Sequence, residues 1–225
     1  MKQHLREVDS KRANIDNLLV FFTGWGCDQY QFGHLNFNGD ILFLYDYCDL
    51  ELDFDFSKYK TITTLAYSAG VFISSIFPQE IPNVVKRVII DGNPYLFDEK
   101  FGVSSKVVKI FKEVDEKNCL DFRKDYLVAT HEEMKRFAQN EPKRGFDDCL
   151  NELLHLEKLY RTHKSNINLK YDKAIFGEFD PIFKVDAQKE FFNNNITLVH
   201  GAKHNIFFRF NSFEEILDIN WQFFS

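Results

Sequence analysis

Short runs of consecutive apolar residues are spaced along the chain, and each run ends at a polar or glycine-containing segment. Continuous runs of this kind are typical of strands that are buried on both faces of a sheet. They predict six strands, which in chain order cover residues 17–23, 40–46, 61–66, 86–91, 168–176 and 196–200. Residues 1–16 are polar, and we expect them to form a short lead-in rather than a strand.

Residues 97–165 have a different pattern, because their apolar residues recur at helical spacing and no strand is evident. Ser104 or Ser105 is expected to cap one helix of this block, and Thr130 with Glu133 forms a capping box for another. A last helix is predicted over residues 212–224. Strands that alternate with helices favour an α/β-hydrolase fold, with a mainly parallel sheet in a single domain over 1–225. The block 97–165 is then an inserted helical lid.

The segment Ala66-Tyr-Ser-Ala-Gly70 joins the third predicted strand to a short apolar helix. A strand, a sharp turn with a central serine and a helix form the pattern of a nucleophile elbow, in which only small residues fit two positions on either side of the serine. Ala66 stands where glycine is more common, so the match is loose, and a serine here also suits a helix N-cap. We predict Ser68 as a nucleophile because the rest of the chain supplies suitable partners for it.

A serine hydroxyl becomes nucleophilic when a base removes its proton, and histidine serves as that base when a carboxylate holds its tautomer. In α/β-hydrolases the order along the chain is serine, acid, histidine. Ser68, Asp180 and His204 occur in this order, each in a loop that follows a predicted strand. We favour Asp180 over Asp91, which follows the fourth strand. We favour His204 over His200, which closes the last strand.

The negative oxygen that forms during acyl transfer needs two N–H donors aimed at it. In this fold one donor follows the nucleophile and the other comes from the loop after an early strand. Ala69 directly follows Ser68, and Trp25 stands between two glycines at the end of the first predicted strand. We predict that the backbone N–H groups of Trp25 and Ala69 form the oxyanion hole.

Composition narrows the class of function further. With 225 residues, of which 44% are hydrophobic and 26 are phenylalanine, the chain has enough apolar material for a sizeable core. A net charge of −6 gives no indication of a general affinity for nucleic acid. No apolar run has the length of a membrane span, and the four cysteines have no metal-binding spacing. We expect no signal peptide, because residues 1–9 contain no apolar core segment. We expect a cytoplasmic protein without a metal or cofactor.

Three segments, 19–28, 66–71 and 201–207, resemble the BioG family. The BioG enzymes are pimeloyl-[acyl-carrier protein] methyl ester esterases of bacterial biotin synthesis. The resemblance covers nearly the whole chain, and it implies the same site residues as those chosen above, with an acyl carrier protein as the partner that carries the substrate. Ala69 departs from the larger residue common at that position, but only its backbone should matter.

The lid block contains 14 basic and 14 acidic residues, so its overall charge is balanced. A local basic face on this block would suit an acidic carrier protein. The candidates for contact with the carrier are Arg123, Lys124, Lys135, Arg136, Lys143 and Arg144. An ordinary solvated helix surface explains any one of these residues equally well.

Two other functions are compatible with the same sequence. One is a serine esterase or thioesterase that acts on another small acyl substrate, since it would share the triad and differ in the lid. The other is a non-catalytic module that binds an acyl carrier protein. The presence of all three triad residue types in order argues against the second alternative.

Overall fold

Seven strands form one sheet in the computed structural model, which describes residues 1–8 and 15–219 except for the side chains of 119–123. The strands are β1 (Lys2–Arg6), β2 (Asn17–Phe22), β3 (Asp40–Tyr45), β4 (Thr61–Tyr67), β5 (Val84–Ile90), β6 (Lys173–Gly177) and β7 (Thr197–Val199). Their order across the sheet is β1-β3-β2-β4-β5-β6-β7. All neighbouring pairs are parallel except β1 with β3. The prediction of a mainly parallel α/β sheet is confirmed.

The central strand β2 shows why continuous apolar runs mark this sheet. Leu18, Val20 and Phe22 pack into the core on one face, which includes helix α1 (Ala69–Ile76) and part of the lid block. Leu19 and Phe21 pack into a second core on the other face, together with residues near the C-terminus. Because both faces are covered, successive side chains are buried and the polar alternation of a half-exposed strand is absent.

The expectation that residues 1–16 form a lead-in without a strand is wrong for Lys2–Arg6, which forms β1. This strand lies at the edge of the sheet and pairs antiparallel with β3, with Lys2 opposite Tyr45 and Arg6 opposite Ile41. Its first three residues are exposed. An edge strand with a solvent-facing side needs no apolar run, and charged residues on it discourage pairing with other chains. The apolar pattern therefore gave no sign of β1.

Six further α-helices are present among the described residues. They are α2 (Ser105–Glu113), α3 (Glu116–Leu127), α4 (His131–Gln139), α5 (Phe146–His163), α6 (Val185–Phe191) and α7 (Phe213–Leu217). Helices α2 to α5 all lie between β5 and β6, so they make up the predicted helical block. Ser104 caps α2, and the Thr130–Glu133 capping box begins α4 as predicted.

The last helix is shorter than the predicted range 212–224. Ser212 accepts a hydrogen bond from the Glu215 N–H, and α7 then ends at Leu217. The ammonium groups of Lys86 and Lys173 donate to the Leu217 carbonyl at 2.8 and 3.2 Å, which satisfies a carbonyl at the end of the helix. Residues 220–225 of the predicted helix lie outside the described part of the chain.

Candidate active site

Ser68 occupies a strained turn between β4 and α1. Its backbone has φ 54° and ψ −121°, a conformation with positive φ that non-glycine residues rarely adopt. Its side chain makes no capping hydrogen bond to α1, so the simple role of a helix N-cap does not apply. The strained turn is held by the Ser68 N–H, which donates to the Ile90 carbonyl of β5 at 3.0 Å. The hydroxyl is thereby left for partners above the sheet edge.

Two glycines permit this turn because the backbone of neighbouring segments comes very close to it. A Cβ atom at Gly70 would lie 2.2 Å from the Phe22 carbonyl oxygen, and one at Gly92 would lie 2.6 Å from the Ser68 carbonyl oxygen. Neither neighbour is a flexible side chain that can move aside. Any larger residue would therefore push α1 away from β2, or β5 away from the serine turn.

Ser68, His204 and Asp180 form one continuous chain of hydrogen bonds. His204 Nε2 lies 2.9 Å from Ser68 Oγ, and His204 Nδ1 lies 2.9 Å from Asp180 Oδ2. The His204 and Asp180 side chains are 3% and 0% exposed, so water does not compete for these bonds. With its proton on Nδ1, the imidazole donates to the carboxylate and accepts from the serine hydroxyl through Nε2. This is the arrangement that activates a serine.

Asp180 is held by the loop that follows β6. Its Oδ1 atom accepts backbone N–H groups from Ile182 and Phe183 at 2.7 and 3.1 Å, which leaves Oδ2 for His204. The His204 ring lies between Tyr67 and Phe183, with ring centroids 5.2 and 5.8 Å away. These contacts fix the orientation of both the acid and the imidazole.

The two alternative residues lie elsewhere. The His200 side chain is 58% exposed and pairs with Glu178 at 3.3 Å on the surface, away from Ser68. Asp91 is fully buried at the end of β5, where its Oδ1 accepts the Gly177 N–H at 2.7 Å. Burial, and then the nearby charge of Asp180, raise the pKa of Asp91 well above the ordinary aspartate value. The structure thus brings Asp180, and not Asp91, to His204.

Trp25 and Ala69 border the same site from two different segments. Ala69 is the first residue of α1, so its N–H is not used by the helix. Trp25 is fixed through its side chain, because its indole Nε1 donates to the Cys149 carbonyl of α5 at 2.6 Å and its ring stacks on Phe111 at 5.0 Å. Both residues line the cavity that ends at Ser68 and His204. Neither backbone N–H has a hydrogen-bond partner among the described residues.

An apolar cavity of about 60 Å³ leads to Ser68. Its walls combine the sheet edge with helices α2 and α5 of the lid block. The side chains that give the cavity its apolar character are Leu96, Val103, Phe111, Leu153, Leu156 and Ile182. Such a narrow, apolar space suits a slender methylene chain whose reacting carbonyl lies at the serine.

Sequence reasoning missed Glu152, which connects the lid block to the Trp25 loop. This α5 carboxylate is fully buried and accepts the N–H groups of Gly26 and Tyr47 at 2.9 and 3.1 Å. It also forms an ion pair with Arg144. A signal was present, because Glu152 interrupts the apolar stripe of α5 between Cys149 and Leu156, where a charge requires a buried partner.

Arg144 is therefore an internal residue and not part of a surface for a carrier protein. Its side chain is only 4% exposed, and it pairs with Glu152 and, at 2.9 Å, with Asp46. A charged residue in a helical region was expected on the surface, but two buried carboxylates stabilise it inside. Arg136 is also used within the fold, where its guanidinium donates to the Phe208 and Phe210 carbonyls at 3.1 and 3.2 Å.

The other basic candidates are closer to solvent. Lys135 is exposed, and Lys143 is exposed with its ammonium 3.7 Å from the centre of the Tyr30 ring. Lys124 pairs with Glu141 at 3.6 Å. The side chain of Arg123 lies outside the described part of the chain. Among the described residues, no helix combines the length and apolar character needed to cross a membrane.

The fold and the hydrogen-bonded serine, histidine and aspartate define the class of the protein as an α/β-hydrolase. Solved esterases share this architecture: a lipase-esterase related protein from Clostridium acetobutylicum is 20% identical with a TM-score of 0.59, and the match covers 91% of this chain and 92% of that one. The expected fold class is confirmed.

Within that class the chain belongs to the BioG family, since the model for "Pimeloyl-ACP methyl esterase BioG" matches residues 7–216. The solved structure of BioG from Haemophilus influenzae has a TM-score of 0.82 and 26% identity, and the match covers 97% of this chain and all of that one. The expected resemblance is confirmed, and the family and fold together make the protein a hydrolase of the esterase type.

A second relative is a Bacteroides fragilis protein described as a malonyl-[acyl-carrier protein] O-methyltransferase. It is 27% identical over 194 residues, which is 83% of this chain. The match spans only 39% of that larger protein.

Proposed function

We propose that this protein hydrolyses the methyl ester of pimeloyl-acyl-carrier protein, giving pimeloyl-acyl-carrier protein and methanol, as a step of biotin synthesis. The observation that carries the proposal is the continuous hydrogen-bonded chain Ser68–His204–Asp180 at the end of an apolar cavity, in a member of the BioG family. Each part of the reaction then has a residue to perform it.

Ser68 attacks the carbonyl carbon of the methyl ester while His204 Nε2 takes the hydroxyl proton. Asp180 holds the resulting imidazolium through Nδ1. The backbone N–H groups of Trp25 and Ala69 stabilise the negative oxygen of the tetrahedral intermediate. His204 then gives its proton to the departing methoxide, so that methanol leaves. A water molecule then attacks the acyl-serine while His204 takes its proton. His204 returns the proton to the Ser68 oxygen, and the carboxylate product is released.

The cavity supports a substrate with an unbranched apolar chain. Its lining residues offer few polar groups apart from Ser68 and His204, so the methylene chain gains favourable burial and the ester is the polar group that remains for the serine. A free carboxylate at the same end would lose its hydration in this apolar space. The site therefore favours the methyl ester as substrate and favours release of the acid product.

The match to the Bacteroides fragilis protein supports a carrier-bound substrate. A methyltransferase that acts on malonyl-acyl-carrier protein makes a methyl ester on a carrier-bound chain, and an esterase of the proposed kind removes such a methyl group. We assign α2 to α5 as a lid over the cavity. The exposed Lys135 of α4 then offers a positive charge toward an acidic carrier, and Lys124 of α3 is a further basic candidate.

The decisive test is a mass measurement on pimeloyl methyl ester-loaded carrier protein after incubation with wild type or with Ser68→Ala. We expect loss of the methyl group with wild type only, because the variant lacks the attacking oxygen. If neither protein removes the methyl group while wild type cleaves small p-nitrophenyl esters, the protein is an esterase for another acyl substrate. If wild type cleaves nothing and fails to label with a fluorophosphonate, the non-catalytic alternative replaces this proposal.

Charge reversal tests the contact with the carrier. Lys135→Glu should raise KM for the carrier-bound ester at low salt, because a surface charge affects the association of the enzyme with the carrier protein. Cleavage of small esters should be unaffected. Lys170→Glu is the matched control, since Lys170 is also exposed but precedes β6 at the opposite edge of the sheet from Ser68. Equal effects of the two variants would remove Lys135 from the proposed surface.

A further inference from the structure

Asp91 is a buried carboxyl group for which the reaction described above has no role. It follows β5 directly, it is 0% exposed, and its φ of 43° is positive. Its N–H donates to the Ile175 carbonyl of β6 at 3.0 Å, and its Oδ1 accepts the Gly177 N–H at 2.7 Å. The side chain is thus held at the point where β6 ends and the Asp180 loop begins.

The other oxygen of Asp91 has different surroundings. Among the described residues, Oδ2 of Asp91 is buried without a hydrogen-bond donor. The side chain that acts on Asp91 is Asp180, through its charge and as a partner for a hydrogen bond between the two carboxyl groups. Two ionised carboxylates are both acceptors and repel each other, so this bond requires one proton between the pair.

The donors around each group decide which of them carries the proton. Asp180 accepts hydrogen bonds from the Ile182 and Phe183 N–H groups and from His204, so three donors surround its carboxyl group. Within the described part of the chain, Asp91 accepts one backbone N–H, from Gly177, and no cation is among the groups that act on it. The proton therefore belongs on Asp91.

The electrostatic effects agree with this assignment. Complete burial disfavours the charged form of Asp91, and the charge of Asp180 adds to the effect, so that the pKa of Asp91 is raised well above its ordinary value. The single N–H from Gly177 opposes this shift and does not reverse it.

We propose that Asp91 is a positioning residue that stays a neutral carboxylic acid and donates its O–H to Asp180, which fixes the triad carboxylate against His204. The proposal rests on the proposed function, since it gives Asp91 a role in the same site. In this role Asp91 holds both ends of the segment 177–180: its Oδ1 accepts the Gly177 N–H, and its O–H donates to Asp180. No proton is gained or lost by Asp91 during the reaction.

The test compares Asp91→Asn, Asp91→Ala and Asp180→Asn in the full protein, with p-nitrophenyl ester hydrolysis normalised to fluorophosphonate-titrated sites. The asparagine amide N–H replaces the acid O–H, and its oxygen still accepts the Gly177 N–H, so kcat should remain within about threefold of wild type. Asp91→Ala removes both bonds and should lower kcat by about 10- to 100-fold with little change in KM.

The pH profile separates positioning from a purely structural role. In Asp91→Ala the Asp180 carboxylate loses a donor and presents a fuller negative charge to His204. The acidic limb of kcat/KM should therefore move to higher pH in the alanine variant and stay in place in the asparagine variant. Unshifted profiles in both variants would reduce Asp91 to a packing residue. A loss of kcat in Asp91→Asn as large as in Asp180→Asn would show that Asp91 acts as an ionised acid.

An infrared difference spectrum tests the proton without relying on activity. Wild type minus Asp91→Asn at neutral pH should contain the C=O stretch of a protonated carboxyl group, and absence of this band overturns the inference. Should wild type prove inactive on every ester, the proposed function fails while the spectrum still decides the state of Asp91.

Discussion

Glu152 and Asp91 are both fully buried carboxyl groups beside the active site, yet their surroundings are opposite. Glu152 accepts two backbone N–H groups and pairs with Arg144. Asp91 accepts one N–H and faces the anionic Asp180. Burial raises the pKa of both groups, but Arg144 opposes the shift at Glu152, whereas Asp180 increases it at Asp91.

The difference shows that burial alone does not set the role of a carboxyl group. Glu152 is stabilised by a cation and N–H donors, so it connects two segments as an ion. Asp91 is surrounded by few donors and one anion, so it can connect two segments only as a neutral acid. The following changes test this contrast, beginning with the largest expected effect.

Asp180→Asn should lower kcat by about 10⁴-fold, which is about 5.5 kcal/mol, because the amide favours the wrong imidazole tautomer. If Asp91 has no ionised role, it cannot take over from Asp180. The double variant Asp91→Asn/Asp180→Asn should then be no less active than Asp180→Asn alone, as measured by ester hydrolysis kinetics. A further large drop in the double variant would mean that the two acids substitute for one another.

Glu152→Ala should lower the free energy of unfolding by about 3–5 kcal/mol, because among the described residues the buried Arg144 keeps only Asp46 as an ionic partner. Asp91→Ala leaves the Gly177 N–H without its acceptor and removes the proposed donor to Asp180, but it leaves no cation unpaired, so it should cost about 1–3 kcal/mol. Urea denaturation of the two variants measures both values. A larger loss of unfolding free energy in Asp91→Ala than in Glu152→Ala would contradict the contrast between an ionic and a neutral connection.

The pH dependence of stability should reveal the raised pKa of Asp91. A carboxyl group with a raised folded-state pKa contributes stability that is complete below its unfolded pKa and is lost as pH rises toward the folded value. From about pH 4 upward, the unfolding free energy of wild type should therefore fall relative to Asp91→Asn by up to about 1.4 kcal/mol per pH unit. Parallel pH curves for the two proteins would contradict a raised pKa.

Trp25→Phe should have the smallest effect, about 1 kcal/mol in unfolding free energy, because one hydrogen bond to the Cys149 carbonyl is lost and the aromatic stack on Phe111 is largely kept. Phe111→Leu is the complementary control, since it keeps the hydrogen bond and removes the stack. Thermal melts of both variants show which contact holds the loop. No change in Trp25→Phe would leave Glu152 as the main connection to the lid block.

The sequence revealed those features that depend on local pattern. Buried strands appear as apolar runs, and each catalytic candidate follows such a run, so the meeting of Ser68, Asp180 and His204 at one sheet edge was predictable from strand ends. Strand β1 was not predicted because a polar edge strand has no apolar run. The end of α7 at Leu217 was not predicted, because the lysines that bind its last carbonyl come from β5 and β6.

Features that depend on distant pairs could not be obtained in the same way. Arg144 had the pattern of a surface residue, and only its meeting with Asp46 and Glu152 buries it. The partnership of Asp91 with Asp180 joins the ends of two neighbouring strands that are separated in sequence by the whole lid block. No spacing rule connects such positions, since their distance is set by how β5 and β6 pair.

The connection of α5 to the Trp25 loop has a consequence for protein engineering. Glu152, which pairs with Arg144, and the Cys149 carbonyl hold this loop, so we infer that α5 and Arg144 must be kept when the walls of the cavity are changed. A chimaera that exchanges only α2 for the corresponding helix of another esterase, and retains Arg144 and α5, should acquire a new acyl preference while the Trp25 loop keeps these contacts.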